Sequence, residues 1–424
     1  MSSLCLLVLH WGINHIWSIV KKRKLRKTMA TRDVRQRSFH KSLKTDENKS
    51  SEVEEEQKSS SSQRWAGPFF IALAVSIVAM VVGFIIMPSP IDPVEFVLPE
   101  PPNLTGPFEP NDILKHAERI YAGKLNGPES IVVDGDHIYV GTADGWVNDL
   151  HKGDVRKLVR FGKEPCGGFE NENTCGRPLG MRMDKNGFLI VADAYYGLFQ
   201  VNVATGDYVQ LFSSATPVNG KQVKFVNDLD IGPDGKIYFS HSNSKWQRNQ
   251  FPMIFLEGRS SGRLLVYDPQ SEAVSELMDG LLFANGVQLT KDKNSVLVSD
   301  TFKSRVWKYD IKTGKASILV DNLPGFPDNI RYSKSTGTYW IGFALVREKG
   351  ASLIDALAPR PWLRKQLAKV EKEISLHHSL NFDTSIDFSF DGVPTIINSV
   401  LSSFNFKALA AIHEEIAFTH SPRD

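Results

Sequence analysis

The chain has 424 residues, 42% of them hydrophobic and 23% charged, and its 50 Lys and Arg stand against 48 Asp and Glu for a formal charge of +2. That is enough for one large domain with a sizeable core plus flanking segments. It is too evenly charged for a nucleic-acid-binding domain, which usually carries a basic face and a high pI; the basic excess here is confined to the first 64 residues.

In chain order, the first apolar stretch is Leu4 to Val20, interrupted by His10, Asn14 and His15 and followed by the basic run 21–27. It is too short and polar to read as a span and fits an interfacial helix or an N-terminal extension, with Met29 as an alternative start. Residues 38–64 are rich in Lys, Glu and Ser, and this composition predicts a disordered tail over 1–64. Pro68 to Met87 then runs 20 residues without a charge, the length of a helix that crosses a ~30 Å hydrocarbon core. Lys58 and Arg64 precede it, whereas no Lys or Arg follows until Lys115. The positive-inside rule therefore predicts a signal-anchor helix over 65–87, with 1–64 cytoplasmic and the rest luminal or extracellular, at the plasma membrane or endoplasmic reticulum.

That topology gives the next features their meaning. Residues 88–115 read as a stalk carrying the glycosylation sequon Asn103-Leu104-Thr105. Cys166 and Cys175 fall in an oxidising compartment, where a bridge closing their Gly- and Asn-rich loop is expected, two free thiols being the alternative.

Between 116 and 350 the chain repeats a unit of entry loop, apolar strand, tight turn and a β-branched or aromatic strand. The second strands read HIYVG (137–141), FLIVAD (188–193), KIYFS (236–240), SVLVSD (295–300) and TYWIG (338–342). Their turn markers Gly187, Gly235, Asn294 and Gly337 are spaced by 48, 59 and 43 residues, the range of propeller blades. Hairpins at 197–212, 262–277 and 304–319 supply third and fourth strands. The fold class is all-β, a β-propeller with five legible blades, to which the family resemblance given below adds a sixth; a β-sandwich is the runner-up, but does not account for the same loop at the start of each unit. Residues 351–376 read as a helical insertion with an apolar-basic pattern, suited to a membrane surface, a lid or the propeller rim. The tail 377–424 follows no blade pattern, so closure of the ring is in doubt.

Four entry loops place a small oxygen-bearing side chain at equivalent positions: Glu129, Asn227, Asn285 and Asp328. Innermost propeller strands bring such loops to one end of a central channel. Two carboxylates and two carboxamides suit Ca2+, which takes about 6–8 oxygen ligands. The alternative is that each residue only closes a turn by bonding its own backbone. Candidate proton acceptors are Asp328 itself, His241, His137 and His151, while Ser130 and Ser240 lack the nucleophile-elbow context of a serine hydrolase.

The stretches CGRPLGMRMD (175–184), ADAYYGLFQVN (192–202), KFVNDLDI (224–231), KIYFSHSNSKWQR (236–248), GRLLVYDP (262–269), FANGVQLT (283–290) and GFPDNIR (325–331) resemble the strictosidine synthase-like family. That family is similar to paraoxonases and gluconolactonases, whose six-bladed propellers hold a central calcium. The resemblance implies calcium contacts from Glu129, Asn227, Asn285 and Asp328, with Asp228 and Asn329 next in line. It also implies hydrolysis of a small ester or lactone; the alternative is a cell-surface propeller with structural calcium and a protein or glycan partner. No segment matches the family's sixth blade, which carries the synthase's catalytic Glu, so strictosidine synthase activity is not expected.

Overall fold

The computed structural model describes residues 63–110, 118 and 120–379, with side chains within 73–370. The expected cytoplasmic tail, its basic run and the divergent tail beyond 379 lie outside the described residues. The chain divides into two compact units at Pro88/Ser89. The first contains helix α1, Gln63–Ile86, whose side chains from Leu73 to Ile86 are exposed apart from the half-buried Met80 and Phe84. Among the described residues no helix is long and apolar enough to cross a membrane.

The second unit is built from consecutive antiparallel meanders. Strands β1–β4 (Glu129–Asp134, His137–Gly141, Trp146–His151, Asp154–Arg160) form the first sheet, and β5–β8 (Pro178–Met183, Phe188–Asp193, Gly197–Asn202, Tyr208–Ser213) the second. The third is β9–β12 (Phe225–Ile231, Ile237–Asn243, Gly262–Asp268, Ala273–Leu281), and the fourth β13–β16 (Ala284–Leu289, Ser295–Asp300, Arg305–Asp310, Ala316–Val320). A two-stranded fifth sheet pairs β17 (Gly325–Tyr332) with β18 (Tyr339–Val346). The first strand of each sheet neighbours the first strand of the next, β1 to β5, β5 to β9, β9 to β13 and β13 to β17. Sheets arranged radially around their first strands are propeller blades.

Burial follows from that arrangement. The inner strands β9 and β13 are buried almost throughout, whereas the outer strands β8 and β16 are largely exposed. Apolar clusters fill the spaces between successive blades, Phe239 and Leu265 packing towards the second sheet with Val218 and Val226, and Tyr238 and Leu264 towards the fourth with Val287 and Val298. Alternate residues of one strand thus serve opposite interfaces. Two glycines permit the inner strands to approach: a Cβ on Gly180 would lie 2.5 Å from Asp228 Cα, and one on Gly286 would lie 2.4 Å from the Asp328 carbonyl oxygen.

A helical layer covers the end where the inner strands begin. Helix α2 (Phe251–Glu257) ends at Gly258, whose φ of 70° is the left-handed conformation of a helix C-cap. Helices α3 (Leu353–Leu357) and α4 (Pro361–Ser379) complete the layer, α3 being N-capped by Ser352. Ile91, Phe96, Phe255, Leu357 and Ala368 share one core with Leu179, Phe225 and Phe283, residues at or just before the inner strands. The segment expected to be a stalk therefore differs over 89–100. It is strapped down: Val94 N–H donates to the Glu257 carbonyl (2.8 Å), and the Arg347 and Arg364 guanidinium groups donate to the carbonyls of Pro99 (2.6 Å) and Val94 (2.5 Å).

Candidate metal centre

The residues expected on entry loops lie within the first four positions of inner strands. Glu129 opens β1, Asn285 is the second residue of β13, and Asn227 and Asp328 lie a few residues into β9 and β17. The equivalent position of the second sheet is Leu179, buried in the apolar core, so that blade supplies no oxygen.

Asn285 hydrogen-bonds the Asp328 carboxylate, and burial first and the Glu129 charge next push Asp328 up to about 7. Asn329 Nδ2 donates to Glu129 Oε1 at 3.3 Å, tying the fifth sheet to the first. Asn227 Nδ2 donates to Ser242 Oγ (3.2 Å), whose hydroxyl in turn donates to the carbonyl of Ala284 beside Asn285 (2.6 Å). Glu129 and Asn285 thus both act on Asp328, by charge and by hydrogen bond, and Asn227 is linked to Ala284 beside Asn285 through Ser242. Asn285 Oδ1 is buried without a hydrogen-bond partner. Two repelling carboxylates beside an unsatisfied buried amide oxygen fit a hard cation, which would satisfy all three. Among the described residues no group of three or more His, Cys, Asp or Glu is placed to hold a metal ion; the set here pairs two carboxylates with two amides.

Asp228, named as a reserve ligand, faces elsewhere. Its carboxylate accepts from Val287 N–H (2.8 Å) and from Arg331 (2.7 and 3.2 Å), with Arg182 at 3.6 Å. Asp230 accepts from Gln288 Nε2 and Leu289 N–H, both at 2.7 Å, and lies 3.7 Å from Arg182. Arg331 also reaches Ser130 Oγ at 3.3 Å. These residues form a second polar layer along the inner strands, linking all five sheets. Sequence reading missed it, although its signal is present: Arg182, Asp230, Gln288 and Arg331 each stand three positions after Leu179, Asn227, Asn285 and Asp328.

A second missed group flanks the cluster. Glu172, in the loop closed by Cys166 and Cys175, accepts from Arg248 Nη1 (2.6 and 2.8 Å) and Tyr195 O–H (2.9 Å). Arg177 lies 3.7 Å from Glu129 and 4.0 Å from Glu172; burial, then the Arg248 charge, lower its pKa to about 10. The disulfide between Cys166 and Cys175 is formed, with Cα atoms 5.1 Å apart. Asn103 is exposed.

The histidines bond away from the cluster. His241 is fully buried on the face of β10 towards the second sheet; its Nδ1 accepts from Arg263 Nε (2.9 Å), which leaves the proton on Nε2, an atom without a partner. Burial, then the Arg263 charge, pushes His241 down to about 3. His137 bonds Asp149 (2.8 Å) and stacks on His151 at the other end of the first sheet's inner strands.

Sequence comparison places this architecture among known proteins. The strictosidine synthase model matches residues 227–314, and the strictosidine synthase-like N-terminal model matches 106–149. The chain is 46% identical over 307 residues to the rat (Rattus norvegicus) adipocyte plasma membrane-associated protein, covering 71% of this chain and 81% of that protein. Against the human (Homo sapiens) protein of the same name it is 45% identical, covering 71% and 74%. Among solved structures, a calcium-binding protein, regucalcin, from Agrobacterium tumefaciens aligns at 16% identity with a TM-score of 0.39, covering 52% of this chain and 68% of that one. The chain belongs to the strictosidine synthase-like family, in its adipocyte plasma membrane-associated protein group.

Proposed function

We propose that this protein is a membrane-held, calcium-dependent hydrolase of small esters or lactones. The observation that carries the reading is the buried, unpartnered Asn285 Oδ1 beside the mutually repelling carboxylates of Glu129 and Asp328. Glu129, Asn227, Asn285 and Asp328 would hold the ion. When bound, Ca2+ supplies Lewis-acid polarisation of the substrate carbonyl and stabilisation of the oxyanion that forms on water attack.

The chain's own groups have separable tasks. Asp328 is the proton acceptor for the attacking water in this reading, its half-exposed carboxylate standing among the candidate ligands. His241, the other expected base, is held by Arg263 and acts in this reading on fold stability. Arg182, Asp228 and Arg331 fix the inner strands beneath the cluster, so that its oxygens keep their spacing. The helical layer excludes water from one side.

The location follows from the uncharged segment 68–87 and the charge asymmetry about it: a single span, N-terminus cytoplasmic, with the propeller and Asn103 outside. The relatives' name, plasma membrane-associated, agrees with it.

One observation favours a second reading, a non-catalytic propeller with structural calcium: the cluster's proton acceptors are also its candidate ligands, and the hydrogen bonds of His137 and His241 lead elsewhere. Hydrolysis of phenyl acetate by the full chain, with calcium and with chelator, separates the two. Turnover that requires calcium and vanishes in Asp328→Ala supports the hydrolase. Calcium-dependent stability without turnover supports the binding propeller.

A further inference from the structure

Helix α4 presents two contrasting faces. Arg364 and Ala368 are fully buried, the Arg364 guanidinium donating to the carbonyls of Val94, Leu256 and Ala358. On the other face Trp362 is 57% exposed, Leu363 38% and Leu367 43%, and Leu353 of α3 and Val97 of the strap add 69% and 65%. Arg360 is exposed at the start of the helix. Aromatic and leucine side chains with a cation at their edge match the boundary between headgroups and acyl chains, where Trp sits with its polar edge towards water and Arg meets lipid phosphate.

Chain continuity selects the bilayer over other occupants. Ser89 Oγ donates to the carbonyl of Lys365 in α4 at 3.3 Å. Ser89 stands two positions after Met87, the end of the uncharged segment, and two residues reach at most about 7 Å. A bilayer that holds 68–87 therefore has its surface within reach of this helix. We propose that the Trp362, Leu363 and Leu367 face of α4 lies in the interface of that bilayer, so that the folded unit is held to the membrane at a second place. This inference rests on the membrane reading above.

The test uses the full chain, with Cys5→Ser, in phosphatidylcholine vesicles, carrying a fluorophore on Leu363→Cys or, in a second variant, on Val78→Cys within the apolar segment. Each is quenched by doxyl-labelled phosphatidylcholine or by iodide equilibrated on both sides of the membrane. The expected result is loss of signal at both positions with the lipid-borne quencher and protection of both from iodide. Loss at position 363 with iodide alone, while position 78 responds to lipid, overturns the proposal and leaves the membrane reading standing. Protection of position 363 from both quenchers also overturns it, since the face is then covered by protein, either residues 380–424 or a second copy. No lipid response at position 78 overturns the membrane reading and the proposal together.

Discussion

Arg331 of the fifth sheet donates to both carboxylate oxygens of Asp228 in the third, at 2.7 and 3.2 Å. The pair reaches between blades that are not neighbours in sequence, and Asp228 is fully buried. Removing one partner of a buried pair leaves an uncompensated charge, which costs about 3–5 kcal/mol. Arg331→Met is expected near the lower end, about 3 kcal/mol, because Arg182 remains 3.6 Å from Asp228. Adding Asp228→Asn should recover part of that loss, read as the urea midpoint of each variant.

Gly286 lies where β13 meets β17, and the Cβ of an alanine there would fall 2.4 Å from the Asp328 carbonyl oxygen and 2.8 Å from Asn329 Cα. The backbone on both strands must shift. Gly286→Ala is expected to cost about 1–3 kcal/mol and to weaken calcium-dependent stabilisation along with it, measured by thermal denaturation with and without the ion. Gly135→Ala gives the contrast: a Cβ there meets nothing within 4 Å, so its cost is only that of its φ of 57°.

The disulfide between Cys166 and Cys175 closes a short loop that carries Glu172 to Arg248 and Tyr195. Chain-entropy arguments for a loop of this length give about 2–3 kcal/mol. Cys166→Ser with Cys175→Ser should lower stability by that amount. A reducing agent should do the same to the parent chain and leave the double variant unchanged.

His241 is neutral in the fold down to about pH 3, whereas an unfolded histidine takes a proton near 6.5. The unfolded state binds more protons across that window, so this residue's contribution is complete above about pH 6.5 and is lost as pH falls towards 3, at about 1.4 kcal/mol per unit. Asp193 works in the opposite sense, burial having pushed it up to about 6. Subtracting the stability of His241→Gln from that of the parent cancels Asp193, and the difference is expected to rise with pH between about 4 and 6. A flat difference would refute the assignment.

The strand pattern was legible because it is local. The expected second strands at 137–141, 188–193 and 295–300 coincide with β2, β6 and β14. The third continues past Ser240 to Asn243, because Ser240 and Ser242 find bonds at Asp228 and Ala284 that their polarity alone does not announce. The candidate ligands are legible because they recur at equivalent positions, whereas nothing in the sequence shows that Asp228, next in line to Asn227, turns its carboxylate to Arg331. Glu172, Arg177 and Arg248 escaped notice because their meeting depends on a loop and a helix start brought together only by the fold. The fifth sheet has two strands among the described residues, and the described chain continues from it into helices α3 and α4.

Calcium titration of the full chain in detergent, followed by thermal denaturation, tests most directly whether Glu129, Asn227, Asn285 and Asp328 hold calcium. The expected result is stabilisation that grows with calcium, about 2.7 kcal/mol at one hundred times Kd, and its loss in both Asn285→Ala and Asp328→Ala. A parent chain whose denaturation is indifferent to calcium, or variants that respond as the parent does, would contradict it.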